Sequence, residues 1–160
     1  MFKLNSLIDT DMIEGLYAAS QAGVQIDLLL RGICGLRPGV PGLSENIRVR
    51  SVLGRYLEHS RIYHFGNGAG PGQPAYYLGS ADLMPRNLDK RVEVLAPVEK
   101  AEQQERMREI IEVNLAPDTQ GWELGPDGTW HVINADAGIE SQRRLYELAQ
   151  ARRRRGVVGG

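Results

Sequence analysis

Three short stretches of this chain hold residue types suited to handling a phosphoryl group. His59-Ser60-Arg61 sets an imidazole and a guanidinium two residues apart, at the start of an apolar run. Arg31-Gly32 closes the run Leu28-Leu29-Leu30. Gly79-Ser80-Ala81-Asp82 follows a third apolar run, with Arg86 shortly after. An imidazole can give or take a proton, or accept phosphate on a ring nitrogen. A guanidinium fork matches phosphate oxygens and stabilises charge spreading over a transferring group. If strand alternation holds, His59, Arg61, Tyr63 and Phe65 share one face, and Glu58, Ser60, Ile62 and His64 the other. In open α/β sheets ligands bind beyond the carboxyl ends of strands. Arg31 stands at such an end, beside a glycine that lets backbone come close. Each residue also has a plainer account. Arg31 could cap a strand at the surface, and a histidine at a strand start is often structural. Asp82 could orient a nearby imidazole, and Ser80 sets a hydroxyl at a strand end. Arg86 could bind a further phosphate or pair with Asp82 or Asp89.

Other chemistries are poorly served. There is no GxxxxGK[ST] phosphate loop and no protein-kinase signature, so a nucleotide must be held in another way. His64 falls on the other strand face and His131 in a distant hairpin. Neither has an acidic partner at ligand spacing, so no metal site is expected. The single cysteine, Cys34, excludes an internal disulfide and a thiolate metal cage. No apolar run approaches a membrane span, and the first residues lack a signal-peptide pattern. A cytoplasmic location is expected, with peripheral membrane association left open. Charge is uneven. Between Arg31 and Arg91 nine Arg and Lys residues face four Asp and Glu, eight of the nine being arginine. That excess is either a solvated surface or an anion site, and the preference for arginine favours the anion site.

The elements that must position these residues follow from periodicity. At 160 residues and 42% hydrophobic composition, the chain suits one α/β domain with a real core. A short strand (Phe2 to Asn5), a helix capped by Asp9 and ended by Gly23, and a buried strand through Leu28-Leu29-Leu30 make a βαβ unit. The short first strand reads as an element entered partway along. "CGLRPGVPGLSEN" is a loop. "IRVRSVL" is a strand with Arg48 and Arg50 on one face. "RIYHFGNG" and "AYYLGSAD" flank a hairpin-like connection. "KRVEVLAPV" alternates as a further strand, with Val92, Val94 and Ala96 on one face. Glu99 to Leu115 is a helix with Met107, Ile110, Ile111, Asn114 and Leu115 inward. "GWELGPDGTWHVI" is a hairpin about Pro126-Asp127-Gly128. Residues 139–151 form a last helix, and 152–160, with four successive arginines, read as a flexible tail.

The stretches "KLNSLID", "SQAGVQIDLLLRGICGLRPGVPGLSENIRVRSVLGRYLEHSRIYHFGNG" and "YLGSADLMPRNLDKRVEVLAPV" together resemble the C-terminal catalytic domain of bacterial polyphosphate kinase, the family that autophosphorylates on histidine. The resemblance is dense over 1–98 and looser over the closing helices and hairpin of 99–151. It implies a phospholipase D-like mixed or parallel sheet flanked by helices, and a single domain, 1–160, that is part of a larger enzyme. The superfamily pattern H-x-K … G-S-x-N is matched by His59-Ser60-Arg61 and Gly79-Ser80-Ala81-Asp82. Arg for Lys and Asp for Asn argue against a phosphodiesterase. The family moves the terminal phosphate of ATP reversibly onto polyphosphate, with magnesium held mainly by phosphates and by residues outside this chain. The phosphorylated histidine lies in a preceding domain. The resemblance implies that Arg31 and His59 reach the ATP phosphates, with His59 as proton donor or charge stabiliser and Arg61, Ser80 and Asp82 in support. The partners implied are ATP or ADP, inorganic polyphosphate and the remaining domains of the enzyme. Homo-oligomerisation is left open, and neither a nucleic acid nor a transmembrane segment is expected. The chain alone is expected to be inactive. The alternatives are a phospholipase D-type half-site and a non-catalytic remnant that binds polyanions.

Overall fold

The computed structural model describes residues 1–157. Phe2–Leu4 forms β1, buried throughout. Asp9 caps α1, Thr10–Gln21, by accepting from the Met12 N–H at 3.0 Å, and Asp11 lies in the first turn, where the helix dipole favours negative charge. Gly23 ends the helix at φ 87°, a left-handed conformation that penalises any residue with a Cβ. β2, Ile26–Leu30, returns parallel to β1 with Phe2 opposite Leu28 and Leu4 opposite Leu30. This is the βαβ unit expected from the sequence.

β3, Ile47–Ser51, adds parallel to β2. On the other flank β4, Arg61–Phe65, runs antiparallel to β1 and forms a hairpin with β5, Ala75–Gly79. The short helix α2 is Pro85–Leu88, and β6, Leu95–Pro97, is the sheet edge. After α3, Ala101–Leu115, the hairpin of β7, Gly121–Leu124, and β8, Trp130–Ile133, extends the sheet beyond β3. α4 is Ser141–Val157. The mixed sheet runs β6-β5-β4-β1-β2-β3-β7-β8.

Helices pack on both faces. Phe2, Leu4, Leu28, Leu30, Val49 and Tyr63 form a core against Leu16 of α1, with Ile13 and Tyr17 packed on it. On the opposite face Arg50 donates to the carbonyls of Leu115 and Ala116 at 3.0 and 3.4 Å, a cation on the negative end of α3. Strand direction then fixes where the site can form. The parallel strands β1, β2 and β3 all end at one edge of the sheet. β4, antiparallel to β1 with Lys3 opposite Ile62, begins at that edge, and β5 ends there with Gly79 opposite Arg61. Arg31, Arg61 and the segment after Gly79 are thereby gathered from distant parts of the chain.

Two expectations differ from the structure. The alternating run from Lys90 forms a strand only over Leu95–Pro97, and Val92 and Val94 are exposed. Their would-be partner β5 stops at Gly79, paired with Leu95; the Ser80 N–H still meets the Val94 carbonyl at 3.0 Å, but the Ser80 hydroxyl takes the Val94 N–H, so the ladder ends there. The last helix also outruns its expected end. α4 continues through Arg152 to Val157, where a tail from 152 was expected, and Arg152 grips both Glu109 oxygens on α3 at 2.7 and 2.6 Å. The rest of that expected tail, 158–160, lies outside the described residues.

Leu28 is fully buried where β2 meets β1 and β3. Leu28→Ala should cost about 3 kcal/mol through lost transfer energy and the cavity left behind. Urea unfolding measures this, and a loss within error of zero would contradict such a core.

Candidate functional site: the carboxyl edge of the parallel strands

Five side chains form a continuous hydrogen-bonded line along this edge. Arg31, just past β2, donates from Nε to Asn5 Oδ1 at 3.0 Å. Asn5, just past β1, reaches Asp82 Oδ2 through Nδ2 at 3.4 Å. Asp82 takes Arg61 in a fork, Nη2 to Oδ2 at 2.9 Å and Nε to Oδ1 at 3.3 Å. Arg61 then turns its remaining arm, Nη1, to His59 Nδ1 and to the His59 carbonyl, both at 3.1 Å. Arg31 and His59 therefore stand on one edge, joined through Asn5, Asp82 and Arg61. His59 is exposed and precedes β4 rather than lying within it.

The Arg61–Asp82 pair is the dry part of the line, with side chains 11% and 7% exposed. Backbone N–H groups of Asn5 and Ser6 also donate to Asp82 Oδ1, at 2.7 and 3.3 Å. Burial pushes the Asp82 carboxyl upward, but the Arg61 guanidinium and these N–H donors outweigh it and hold the group below the usual aspartate range. Tyr63, beneath the pair, donates to the Ala81 carbonyl at 3.1 Å. Burial, and then the Asp82 charge, push its phenol up to about 12, so it serves as a neutral donor.

The fork has a chemical consequence for the imidazole. A guanidinium only donates, so His59 Nδ1 must accept. The neutral ring then carries its proton on Nε2, and Nε2 has no protein partner among the described residues. Both ring nitrogens are thus accounted for. One is engaged by Arg61 and the other carries hydrogen.

The structure brings Arg31, His59, Arg61 and Asp82 together along this edge. Asp82 acts on the imidazole through Arg61 and does not touch the ring itself. Arg61 is committed to Asp82 and His59, which makes it a holder of the ring more than a bare cation. Ser80 sits at the end of β5 as expected, but its hydroxyl binds Glu93 and accepts from the Val94 N–H at 2.9 Å, away from the line. It anchors the loop before β6. Arg86 is exposed and pairs with neither Asp82 nor Asp89 among the described residues. Sequence reasoning missed Asn5, whose short amide links the two halves. It also missed Lys3, a buried lysine paired with Glu58 at 2.8 Å. A polar residue at either end of Lys3-Leu4-Asn5, in an otherwise apolar strand, was the available signal.

The donor set does not suit a resident magnesium ion. Asp82 is saturated by Arg61 and backbone N–H groups, Glu58 by Lys3 and Gln142, and Glu93 by Ser80 and Asn87. No group of three or more His, Cys, Asp or Glu residues able to hold a metal occurs among the described residues. Among them, too, no helix is long and apolar enough to cross a membrane.

Relatives place this architecture. A crystal structure of polyphosphate kinase from Porphyromonas gingivalis superposes with a TM-score of 0.86 at 37% identity, over 94% of this chain and 23% of that one. The fold is accordingly of the phospholipase D-like class, an open mixed sheet between helices. The family model for polyphosphate kinase C-terminal domain 2 matches residues 1–143, and the chain belongs to that family. Polyphosphate kinase 1 of Chlorobaculum tepidum is 52% identical over 161 residues, spanning 99% of this chain and 23% of its own length. The Synechocystis polyphosphate kinase is 59% identical over 128 residues, 80% of this chain and 17% of the relative. The chain thus spans about a quarter or less of the proteins it matches.

Asp82 supplies a pH test. Its depressed folded-state pKa adds stability that is present above the ordinary aspartate value and is lost as pH falls through the folded value. Asp82→Asn should cost about 3 kcal/mol at neutral pH, because Arg61 is left buried without a counter-charge. It should also show a shallower acid limb than the parent in thermal melts taken downward from about pH 4, where an ordinary aspartate takes up its proton while the folded carboxylate still keeps its charge. Equal acid slopes in parent and variant would refute the assignment.

Proposed function

We propose that this chain is the phosphate-holding C-terminal part of an ATP:polyphosphate phosphotransferase. The enzyme moves the terminal phosphate of ATP reversibly onto polyphosphate, through a phosphohistidine in a preceding domain. The observation that carries this reading is the convergence of Arg31 and His59 on one rim, joined by a single line of hydrogen bonds. Arg31 offers its charge to a phosphate oxygen, because its partner in the line is a neutral amide and its Nη atoms have no hydrogen-bond partner among the described residues. His59 donates a hydrogen bond from its Nε2–H to a second oxygen and so stabilises the charge that builds on the transferring group. With one ring nitrogen engaged and the other protonated, His59 is a donor and charge stabiliser, and the phosphorylated nucleophile is a histidine elsewhere.

Arg61, Asp82 and Asn5 act by holding these two groups. Ser80 has a more distant part, fixing the loop after Gly79. ATP or ADP, inorganic polyphosphate and the remaining domains are the partners of this reading. Magnesium, where it takes part, is carried by the phosphates and by residues outside this chain. The same geometry disfavours a phosphodiesterase of the phospholipase D type, which needs a free imidazole lone pair for attack.

The test is phosphate transfer from ATP in an enzyme carrying this chain together with its other domains. His59→Ala and Arg31→Ala should each lower kcat about a hundredfold or more with the fold intact, the usual loss when one such donor is removed. Near-parental turnover in either variant would overturn that residue's role. On the chain alone, tripolyphosphate binding should weaken in both variants and with added salt.

A further inference from the structure

His59 is carried by a stretch without structure of its own. Residues 53–60 belong to no helix or strand, and among the described residues no loop-type backbone–backbone hydrogen bond involves them. Arg61 Nη1 holds the ring and the His59 carbonyl, but the backbone leading up to His59 still needs a hold. The first turn of α4 supplies that hold. Gln142 accepts from the Tyr56 N–H at 2.7 Å and donates to the Tyr56 carbonyl at 2.7 Å, so one amide grips both backbone groups of one residue. Its Nε2 also reaches Glu58 Oε1 at 3.1 Å, next to the histidine. The other Glu58 oxygen is held by Lys3 from β1.

Gln142 is buried, although glutamine is usually exposed, which fits a side chain with fully used polar atoms. Gly54 gives independent support. A Cβ there would collide with the Gln142 amide, so only glycine lets the loop lie this close. The far end of α4 is tied to α3 by the Arg152–Glu109 pair, which makes the helix a braced strut.

We infer that Gln142 is a positioning residue for His59, and that α4 belongs to the phosphate site although it lies more than eighty residues further along the chain. This rests on the reading of His59 as a hydrogen-bond donor to phosphate, but the imidazole itself can be read without ligand. With ring-15N-labelled histidine, the parent chain should show the His59 signature of the single Nε2–H tautomer. Gln142→Met, which keeps the volume but none of the hydrogen bonds, should shift those signals toward a mixture of tautomers. It should also weaken tripolyphosphate binding about fivefold or more, the scale of one or two lost hydrogen bonds. Gly54→Ala, which leaves the amide in place but pushes it away, should do the same, and the double variant should be little worse than either single one. Gln120→Met removes a comparable bond, to the Ala135 carbonyl at 2.9 Å, and should leave His59 unmoved.

Unchanged His59 signals in folded Gln142→Met, or a change no larger than that of Gln120→Met, would overturn the inference. Should Gln142→Met fail to fold, Gly54→Ala decides by the same signals. If His59→Ala binds tripolyphosphate as tightly as the parent, the phosphate role of His59 fails, while the ring signals still judge Gln142.

Discussion

Asp82 is the point on which the edge depends. It follows β5, and its two oxygens take donors from two other segments: backbone and side chain after β1, and the guanidinium at the start of β4. A carboxylate offers about four lone-pair sites, and here they are all used. Charges this far out of water are costly unless paired and hydrogen-bonded. The requirement therefore works as a geometric constraint. The end of β1, the start of β4 and the end of β5 must meet, or a buried charge is stranded. An apolar pair of similar volume could match it for stability, but it would not aim an imidazole.

The same pairing changes how the basic middle of the chain should be read. Counted along the sequence, nine cations face four anions between Arg31 and Arg91. In space, Arg48 meets Asp27 and Arg50 meets Glu123, both anions lying outside that window, and Arg61 meets Asp82. The cations without an ion pair among the described residues include Arg31, Arg37, Arg55 and Arg86, and of these only Arg31 lies in the hydrogen-bonded line. Burial pushes the carboxyl of Glu58, the neighbour of His59, upward, but the Lys3 ammonium, then the Gln142 amide and the Arg31 charge, hold it below the usual glutamate range. The field at the rim thus belongs to Arg31, and Arg61 is largely neutralised where it stands.

Local pattern made much of this legible. Asp9, Gly23 and the Leu28-Leu29-Leu30 run gave the βαβ unit because caps and buried strands are written in adjacent residues. His59, Arg31 and Asp82 stood out by residue type at strand ends. What stayed hidden depends on contacts far apart in sequence. Val92 and Val94 alternate like a strand, yet alternation reports a pleat and not a partner, and the pairing with β5 ends at Val94, where the Ser80 hydroxyl takes the place of a backbone acceptor. Arg152 looked like the start of a flexible tail, because Glu109, its partner, lies 43 residues away. Asn5 could be flagged as a polar residue beside an apolar strand, but neither its partners nor those of Gln142 are written in neighbouring residues. Asp82 was read as facing the imidazole because the guanidinium between them is seen only in three dimensions.

The placement of His59 explains why these supports are so many. A residue within β4 would inherit its position from the ladder. One lying before the strand has only side-chain bonds to hold it, and each contributes about 1 kcal/mol net. Rigidity then has to come from number and direction. Arg61 holds the ring and the His59 carbonyl from one side, while Gln142 and the Lys3–Glu58 pair hold the preceding backbone from the other. These holds originate on β4, α4 and β1, elements that do not move independently once the sheet and its helices have packed. An exposed imidazole is thereby kept in one orientation by buried partners, the arrangement required of a group that must meet a phosphate oxygen and still let it go.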